Sequence, residues 1–272
     1  MIEYSDGQIE RRAGGASMAG SLRIDGGMNR LIQCLLSRID SDALVVNSRV
    51  RSIKQVDDEL LVQALNPNGL FEQRVKQVVL ALPPRVLDGT IRFEPSLPSQ
   101  QQSLLSTVPT WMAAHAKFVA VYSSPFWKTQ SLSGDAMSQI GPCVEIHDAS
   151  PRVGDEAALF GFIGIPANQR AGRHEQLKQL GIEQLVRLFG PEARQPLSTC
   201  IKDWAADDLT ATELDLLPPT GVRKLPPHQE WQQQIIWAGT ETANTSGHSN
   251  GYLEGAVESG FRAADTIVRK LK

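Results

Sequence analysis

Gln234-Ile-Ile-Trp-Ala-Gly-Thr-Glu-Thr-Ala243 and Gly251-Tyr-Leu-Glu-Gly-Ala-Val-Glu-Ser-Gly260 are the stretches whose reading decides the fold. The apolar run Ile235 to Ala238 stops at Gly239, a polar glycine-containing loop follows, and from Tyr252 a helical pattern continues almost to Lys272. The order is strand, loop, helix, with the loop free to touch a ligand. On the helix, Leu253, Ala256, Val257, Gly260, Ala264, Ile267, Val268 and Leu271 recur at three-and-four spacing and are expected to form one buried face. Ala256, Gly260 and Ala264 make a strip of small residues along it, which allows close approach to a sheet or another helix.

Upstream, Arg11 to Gly20 has the composition of a loop. Gly26-Gly27 precedes a helix whose apolar stripe is Leu31, Ile32, Leu35, Leu36 and Ile39. Paired glycines there suit a tight backbone turn beside a ligand, because they tolerate positive φ and leave amides uncovered; most such pairs are only turns. Leu44-Val45-Val46, Val50 to Ile53, Leu60 to Leu65 and Phe71 to Leu82 read as strands, with Asn66-Pro-Asn-Gly69 as a hairpin turn. Four prolines, Pro83, Pro84, Pro95 and Pro98, mark an irregular boundary in which neither helix nor sheet is expected.

Beyond it, Trp111 to Tyr122 is a strand with His115, Lys117, Val119 and Val121 on one face and Ala114, Ala116, Phe118 and Tyr122 on the other. From the residues alone, Lys117 fits an edge strand whose amine reaches water. Cys143 to His147 and Ala157 to Ile165 follow as strands, the second apolar enough to be central. Arg173 to Phe189 is a helix with Leu177, Leu180, Gly181, Leu185 and Leu188 inward, stopped by Gly190-Pro191. Leu197 to Trp204 is a strand, and Ala205 to Glu230 an acidic, then proline-rich loop. The mixture of strands and helices, with a hairpin insertion, predicts an α/β (mixed α+β) fold with an antiparallel-rich second layer.

Composition narrows the partners. A net charge of −3 over 272 residues offers no large basic surface for nucleic acid or an anionic membrane, so a small-molecule substrate is the expectation. The longest apolar runs are too short to span a bilayer and the first residues lack a signal-peptide pattern, which predicts a cytoplasmic setting. Cys34, Cys143 and Cys200 are expected to be buried free thiols, and neither they nor the five histidines are spaced as metal ligands, so no metal site is predicted.

The terminal stretch, Ile236-Trp-Ala-Gly-Thr-Glu-Thr-Ala243 with Gly251-Tyr-Leu-Glu-Gly-Ala-Val-Glu-Ser-Gly-Phe-Arg-Ala-Ala264, closely resembles the C-terminal FAD-contacting signature of the flavin-containing amine oxidases, the monoamine and polyamine oxidase group. Gly26-Gly27, Asn47-Ser-Arg-Val50 with Ala81-Leu-Pro-Pro84, and Lys117 upstream of Pro125-Phe-Trp127 follow in that family's order. The resemblance implies non-covalent FAD and an oxidoreductase that passes hydride from an amine-bearing carbon to flavin N5. Gly26 and Gly27 fall on the cofactor side. Val50 matches a backbone contact to adenine, and Gly239, Thr240 and Glu241 match the loop beside the pyrophosphate and ribityl chain. Leu253 matches the residue at the helix start beneath the isoalloxazine, Gly251 belongs to the same wall of the FAD site, and Trp204 matches a tryptophan packing on the ring system. As catalytic residues, Lys117 matches the lysine that holds a water near N5, and Tyr252 an aromatic of the substrate cage. The bland alternatives are a packing tyrosine, a strand-end turn at Gly239 and core filling at Trp204.

The departures are specific. No G-x-G-x-x-G occurs anywhere in the sequence, and the candidates Gly14-Gly15 to Gly20 and Gly239 to Gly247 have the wrong spacing. The Asn244 to Asn250 loop lacks the family's tryptophan, and Thr210 to Asp215 replaces the segment carrying a flavin-linking cysteine and a second cage aromatic; Glu213 or Asp215 could instead attract a cationic substrate. The expected architecture is therefore an incomplete, Rossmann-like FAD-side domain (1–91 and 230–272) with a hairpin layer, and a substrate-side domain (92–229) of largely antiparallel sheet flanked by helices. Alternatives are a non-catalytic or truncated chain that takes its dinucleotide-binding half from a partner or self-associates at an exposed sheet edge, and a related flavoprotein such as a protoporphyrinogen oxidase or carotenoid desaturase acting on a non-amine substrate.

Overall fold

A computed structural model describes residues 2–5, 8–11, 24–154, 156–216, 229–230, 234–243 and 250–270. In chain order the elements are β1 (Ile2–Ser5), β2 (Gln8–Arg11), α1 (Met28–Leu36), β3 (Arg49–Val56), β4 (Glu59–Asn66), β5 (Gly69–Val75), β6 (Val78–Leu80), α2 (Pro84–Thr90), β7 (Arg92–Glu94) and α3 (Ser99–Thr107). There follow β8 (Ala116–Tyr122), α4 (Phe126–Thr129), β9 (Ala136–Ser138), β10 (Cys143–Asp148), β11 (Ala157–Ile163), α5 (Ala167–Arg170), α6 (His174–Phe189), β12 (Ser198–Asp203), β13 (Gln229–Glu230), β14 (Ile235–Trp237) and α7 (Leu253–Lys270). The mixed α/β class is as expected. Contacts group into two compact units, Met1–Leu44 with His115–Asp203, and Val45–Ala114 with Trp204–Lys272. These bounds differ from the functional division at 91/92 and 229/230 read from the sequence.

In the first unit, seven strands form one sheet in the order β12-β8-β11-β10-β9-β1-β2, antiparallel except for the parallel pair β1 and β9. Strand β8 alternates as predicted, with Ala116, Phe118, Ala120 and Tyr122 buried. It is nevertheless an interior strand between β12 and β11, which overturns the edge-strand reading of Lys117. Residues Trp111 to Ala114 do not join it; the chain turns there with Met112 at a φ of 60°. Helix α6 buries Leu177, Gly181, Leu185, Leu188 and Phe189 as its period dictates, whereas Leu180 lies toward solvent.

Two buried polar links position α6. Gln184 is fully buried, its Oε1 accepting from the Cys143 backbone N–H (2.9 Å) and its Nε2 donating to the Cys143 carbonyl (2.6 Å). That is where the register between β10 and β11 shifts, so a side-chain amide binds the backbone of the residue at which the irregularity begins. Just ahead of the helix, Arg170 binds Asp203 through Nε to Oδ2 and Nη2 to Oδ1, both 2.7 Å, with both residues buried. Burial pushes the Cys143 thiol up to about 12, an inert group. Cys34 and Cys200 are free but exposed, contrary to expectation. Helix α1 forms where predicted, yet none of its residues is buried: Ile32 and Leu35 are each about half exposed.

The second unit holds a four-stranded sheet, β5-β4-β3-β7, and a three-stranded one, β13-β14-β6. The Asn66 to Gly69 turn is as read, with Asn66 Oδ1 accepting from the Asn68 N–H (2.8 Å). Three segments depart. Leu44 to Val46 form no strand, Phe71 to Leu82 is divided between β5 and β6, and the proline-marked boundary contains α2 and β7. Pro84 takes the first turn of α2, where the missing N–H costs nothing, so the double proline begins a helix instead of breaking one. One face of the smaller sheet packs Leu80, Ile235 and Trp237 into a core with Ile53, Leu60, Leu87 and Leu105; the other sets Ile236 and Ala238 against Ala263 and Ile267 of α7.

Helix α7 departs most from its reading. Its buried line is Gly255, Ser259 and Ala263, not the predicted apolar stripe. Leu253, Val257, Phe261 and Val268 are 61%, 51%, 72% and 51% exposed, and Ala256, Gly260 and Ala264 are exposed as well. Period alone gives a stripe its direction on the helix; what covers it is set by the rest of the molecule. Leu271, Gly14 to Gly20, Gly221 to His228 and Asn244 to Ser249 lie outside the described residues.

Candidate functional site

The C-terminal strand, loop and helix are built as one piece. Strand β14 ends at Trp237, and the chain passes Ala238 into Gly239, whose φ of 100° favours glycine. A single 3-10 turn, Thr240–Thr242, follows. Gly239 N–H donates to Ser259 Oγ (2.9 Å), and Ser259 Oγ donates to the Ala256 carbonyl (2.8 Å), tying the start of the loop to the middle of α7. Thr240 closes the other end: its hydroxyl accepts from the Gly251 N–H (2.7 Å) and donates to the Tyr252 carbonyl (2.9 Å). Arg262 donates to the carbonyls of Trp237 and Thr242 and to Thr242 Oγ1, and Asn250 Nδ2 donates to the Glu241 carbonyl. The loop is thus held by side chains of the helix it precedes, which preorganises it for a ligand.

Gly251 has a φ of 84°, and a Cβ placed on it would lie 2.8 Å from Trp111 Cγ and 3.0 Å from Trp111 Cβ and Cδ1. An indole and a peptide therefore pack here with no room for a side chain. The Tyr252 ring, 60% exposed, and Leu253 lie at the open end of α7. Glu241 is buried, and burial raises its carboxyl pKa, with only its own backbone hydrogen bond opposing that shift. Beside the loop, Val79, Ala81, Ala238, Gly239, Ala256 and Gly260 help line a cavity of about 330 Å³.

The structure therefore brings together Gly239, Thr240, Glu241, Gly251, Tyr252 and Leu253. Val50, on β3 of the same unit, packs at the border of the core containing Leu80 and Trp237. Trp204, 38% exposed, opens a short 3-10 turn. Asp215 is not available to attract a cation: it is 2% exposed and accepts from Arg85 Nη1, the Thr110 and Thr212 N–H groups and Thr212 Oγ1. Glu213 is exposed.

The remaining sequence-derived residues belong to the first unit. Gly26 and Gly27 both have a φ of 78°, and Gly27 N–H donates to the Ile24 carbonyl (2.9 Å), the tight turn expected before α1. Lys117 stands opposite Phe162 on β11 and Lys202 on β12. Its Nζ lies 4.8 Å from the Phe162 ring centroid and 5.2 Å from that of Phe160, so two aromatic faces hold the ammonium on the partly open side of the sheet.

Sequence reasoning missed Trp111, Ser259 and Arg262. Ser259 carried a usable signal, a polar residue four positions from Gly255 and Ala263 on one helix line. Trp111 carried none, because its partner Gly251 is distant in the chain. Among the described residues no three His, Cys, Asp or Glu side chains gather as metal ligands, and no helix is long and apolar enough to cross a membrane.

With that geometry in hand, comparison with known proteins gives one answer. The family model described as flavin containing amine oxidoreductase matches residues 5–268. The flavin-containing amine oxidase B of Cavia porcellus is 30% identical over 281 residues, spanning 100% of this chain and 49% of that protein. The flavin-containing amine oxidase A of Canis lupus familiaris is 30% identical over 256 residues, 90% of this chain and 46% of that one. Among solved structures, the cyclohexylamine oxidase of Brevibacterium oxydans IH-35A superposes with a TM-score of 0.73 at 25% identity, covering 90% of this chain and 53% of that one. The chain belongs to the flavin-containing amine oxidoreductase family. It spans about half the length of the relatives it matches.

Proposed function

We propose that this chain carries one wall of a non-covalent FAD site and the substrate side of an amine oxidase. The observation that carries the reading is the Thr240 hydroxyl, which joins Gly239–Glu241 to Gly251–Leu253 through two hydrogen bonds and holds the family's signature loop in one conformation. Three features support a flavin there. The loop is turned by Gly239 and Gly251 at positive φ, Trp111 presents an indole beside Gly251, and Glu241 is a buried carboxyl whose pKa burial raises. Bound FAD would supply the hydride acceptor.

The chain's own residues would then act as follows. The backbone of Gly239–Glu241 and Gly251–Leu253 positions the cofactor, and the N-terminus of α7 presents partial positive charge. Burial raises the carboxyl pKa of Glu241, which stands in the same loop. The exposed Tyr252 ring is the cage aromatic, and Lys117 orders water and moves a proton. Val50, Trp204, Gly26 and Gly27 complete the cofactor contacts by family correspondence. The substrate is a small amine. A division into an FAD side (1–91, 230–272) and a substrate side (92–229) belongs to the same reading, as does a cytoplasmic setting, which free thiols at Cys34 and Cys200 suit.

The sequence encodes no glycine loop for the pyrophosphate, so the test uses the chain with and without a complementing polypeptide, added FAD, desalting and visible absorbance. Retained flavin that is bleached anaerobically by an amine supports the proposal. Retained flavin that no amine in a primary and secondary alkylamine panel bleaches overturns the substrate class, and flavin retained under neither condition overturns the cofactor.

A further inference from the structure

Trp111 reaches Gly251 from a turn that a buried ion pair holds, and every part of this arrangement lies in the second unit. Arg85, the second residue of α2, donates from Nε to the Ser106 carbonyl in the last turn of α3 (2.9 Å), and from Nη1 to the Leu214 carbonyl (3.0 Å) and to Asp215 Oδ1. Asp215 Oδ1 also accepts from the Thr110 N–H (3.4 Å), while its Oδ2 accepts from the N–H (3.1 Å) and the hydroxyl (2.9 Å) of Thr212. The chain between Ser106 and Thr110 is therefore anchored at both ends, and in its middle Val108 is buried in the same core as Leu105. The Thr110 carbonyl then accepts from the Ala113 N–H (3.2 Å), closing a turn with Met112 at positive φ. Trp111 is the residue this turn presents. Apolar packing often serves stability as well as a buried ion pair does, whereas a carboxylate that accepts four hydrogen bonds fixes the direction of every donor. The Asp215 and Arg85 side chains are 2% and 15% exposed and so withdrawn from ligands. Trp111 is not withdrawn: it is 38% exposed, and it packs on the glycine directly before Tyr252.

We propose that Trp111 is a specificity-determining residue of the amine-binding side, and that Asp215, acting through Arg85 and Thr110, is the positioning residue that sets its indole on Gly251. An indole face attracts an ammonium group more strongly than any other aromatic side chain does. The ligand that Trp111 favours is accordingly a protonated alkylamine over a neutral molecule of the same shape. The ligand class rests on the amine-oxidase reading, whereas the positioning of Trp111 by Asp215 does not.

The test is fluorine NMR on the full chain grown with fluorotryptophan, in which Trp111 is assigned as the one of five resonances that Trp111→Phe removes. Asp215→Asn keeps the size of the side chain and one acceptor oxygen but removes the charge facing Arg85. It should shift the Trp111 resonance by more than its linewidth and leave that of Trp127, in the first unit, in place. Arg85→Lys keeps the charge and loses the fork, should shift the same resonance, and decides the matter if Asp215→Asn does not fold. With FAD present at neutral pH, butylamine should shift the Trp111 resonance saturably and butanol should not. Calorimetry should show butylamine binding weakened about three- to thirtyfold by Trp111→Leu. A Trp111 resonance unmoved by the variants overturns the positioning role even where the melting temperature falls, because a merely structural pair would cost stability without re-aiming one indole. Butylamine that the Trp111 resonance does not register, or that binds Trp111→Leu equally well, overturns the ligand role. Flavin absorbance on the same samples separates these results from the wider reading. Retained flavin that butylamine bleaches while Trp111 stays silent overturns the role of Trp111 and leaves the amine-oxidase reading standing. A Trp111 resonance moved by Asp215→Asn in a chain that retains no flavin supports the positioning and counts against the cofactor.

Discussion

Replacing Gly251 with alanine tests whether the loop and Trp111 are packed as described. At a φ of 84° an L-residue pays a steric penalty, and the new methyl would sit 2.8 Å from Trp111 Cγ. The left-handed backbone is worth about 1–2 kcal/mol and overpacking against a ring about 1–3 kcal/mol, so Gly251→Ala is expected to destabilise the second unit by about 2–5 kcal/mol. Gly260 is the internal control. Its added Cβ would meet nothing within 4 Å and it lies inside α7, so Gly260→Ala should stabilise by about 0.5–1 kcal/mol. Urea unfolding followed by tryptophan fluorescence measures both. Adding Trp111→Ala to Gly251→Ala removes the contacts with the ring atoms Cγ and Cδ1 and leaves the one at Cβ and the backbone penalty, so the double-mutant cycle should show a coupling of about 1 kcal/mol or more. If Gly251→Ala falls within about 0.5 kcal/mol of the unsubstituted chain, or the cycle is additive, Trp111 does not pack on Gly251 and the wall of the site is drawn wrongly.

Other expectations follow from the same geometry. Burial raises the carboxyl pKa of Glu241, so its contribution to stability is full below the ordinary value of 4.5 and is lost as pH rises through the folded value. Glu241→Gln should therefore melt higher than the unsubstituted chain at neutral pH, and the two curves should converge in acid. Desolvation opposes ionisation of Asp148, but hydrogen bonds from Ser150, Trp127 and Lys128 outweigh it and lower its pKa, so that stability is present above the ordinary 3.8 and is lost as pH falls through the folded value; Asp148→Asn should flatten this acid limb in thermal melts. Asp203→Ala removes the carboxylate that pairs with the buried Arg170 guanidinium and should cost the first unit about 3–5 kcal/mol, read by denaturant unfolding. Lys117→Met should change stability by about 1 kcal/mol or less and slow one flavin half-reaction in stopped flow; unchanged rates in both would remove its assigned role.

What could be read from the sequence was whatever is decided within a few residues. Asn66-Pro-Asn-Gly69 makes its turn because Asn66 caps it locally, and α6 buries its predicted face apart from Leu180 because its partners lie in the same unit. The place of Lys117 in the sheet was not legible, since β12 closes that side of β8 from much later in the chain. The fate of Phe71 to Leu82 turned on residues 76–77, where the chain leaves one sheet for another, and nothing in a strand-like stretch announces that change. At the site, the glycines and Thr240 were found through resemblance, but their mechanical role was not. It depends on Ser259 and Arg262, which in the sequence look like a spacer and a surface charge. The α7 stripe was detected correctly as a pattern and wrongly as buried surface, because periodicity records the environment in which a helix is meant to sit.

Gln184 has a consequence for how the first unit tolerates change. Its amide accepts from the N–H and donates to the carbonyl of one residue, Cys143, so the site distinguishes oxygen from nitrogen on a side chain of fixed size. Glutamate, nearly identical in shape, could accept but not donate when ionised, and would leave the Cys143 carbonyl facing another oxygen. Each residue step turns a helix through about a hundred degrees, so α6 has a single rotational setting in which this amide meets its peptide. With the Arg170 and Asp203 pair fixed just ahead of its first turn, the helix behaves as a keyed shaft: it can be repacked by exchanging apolar residues on its face, but it cannot be re-clocked.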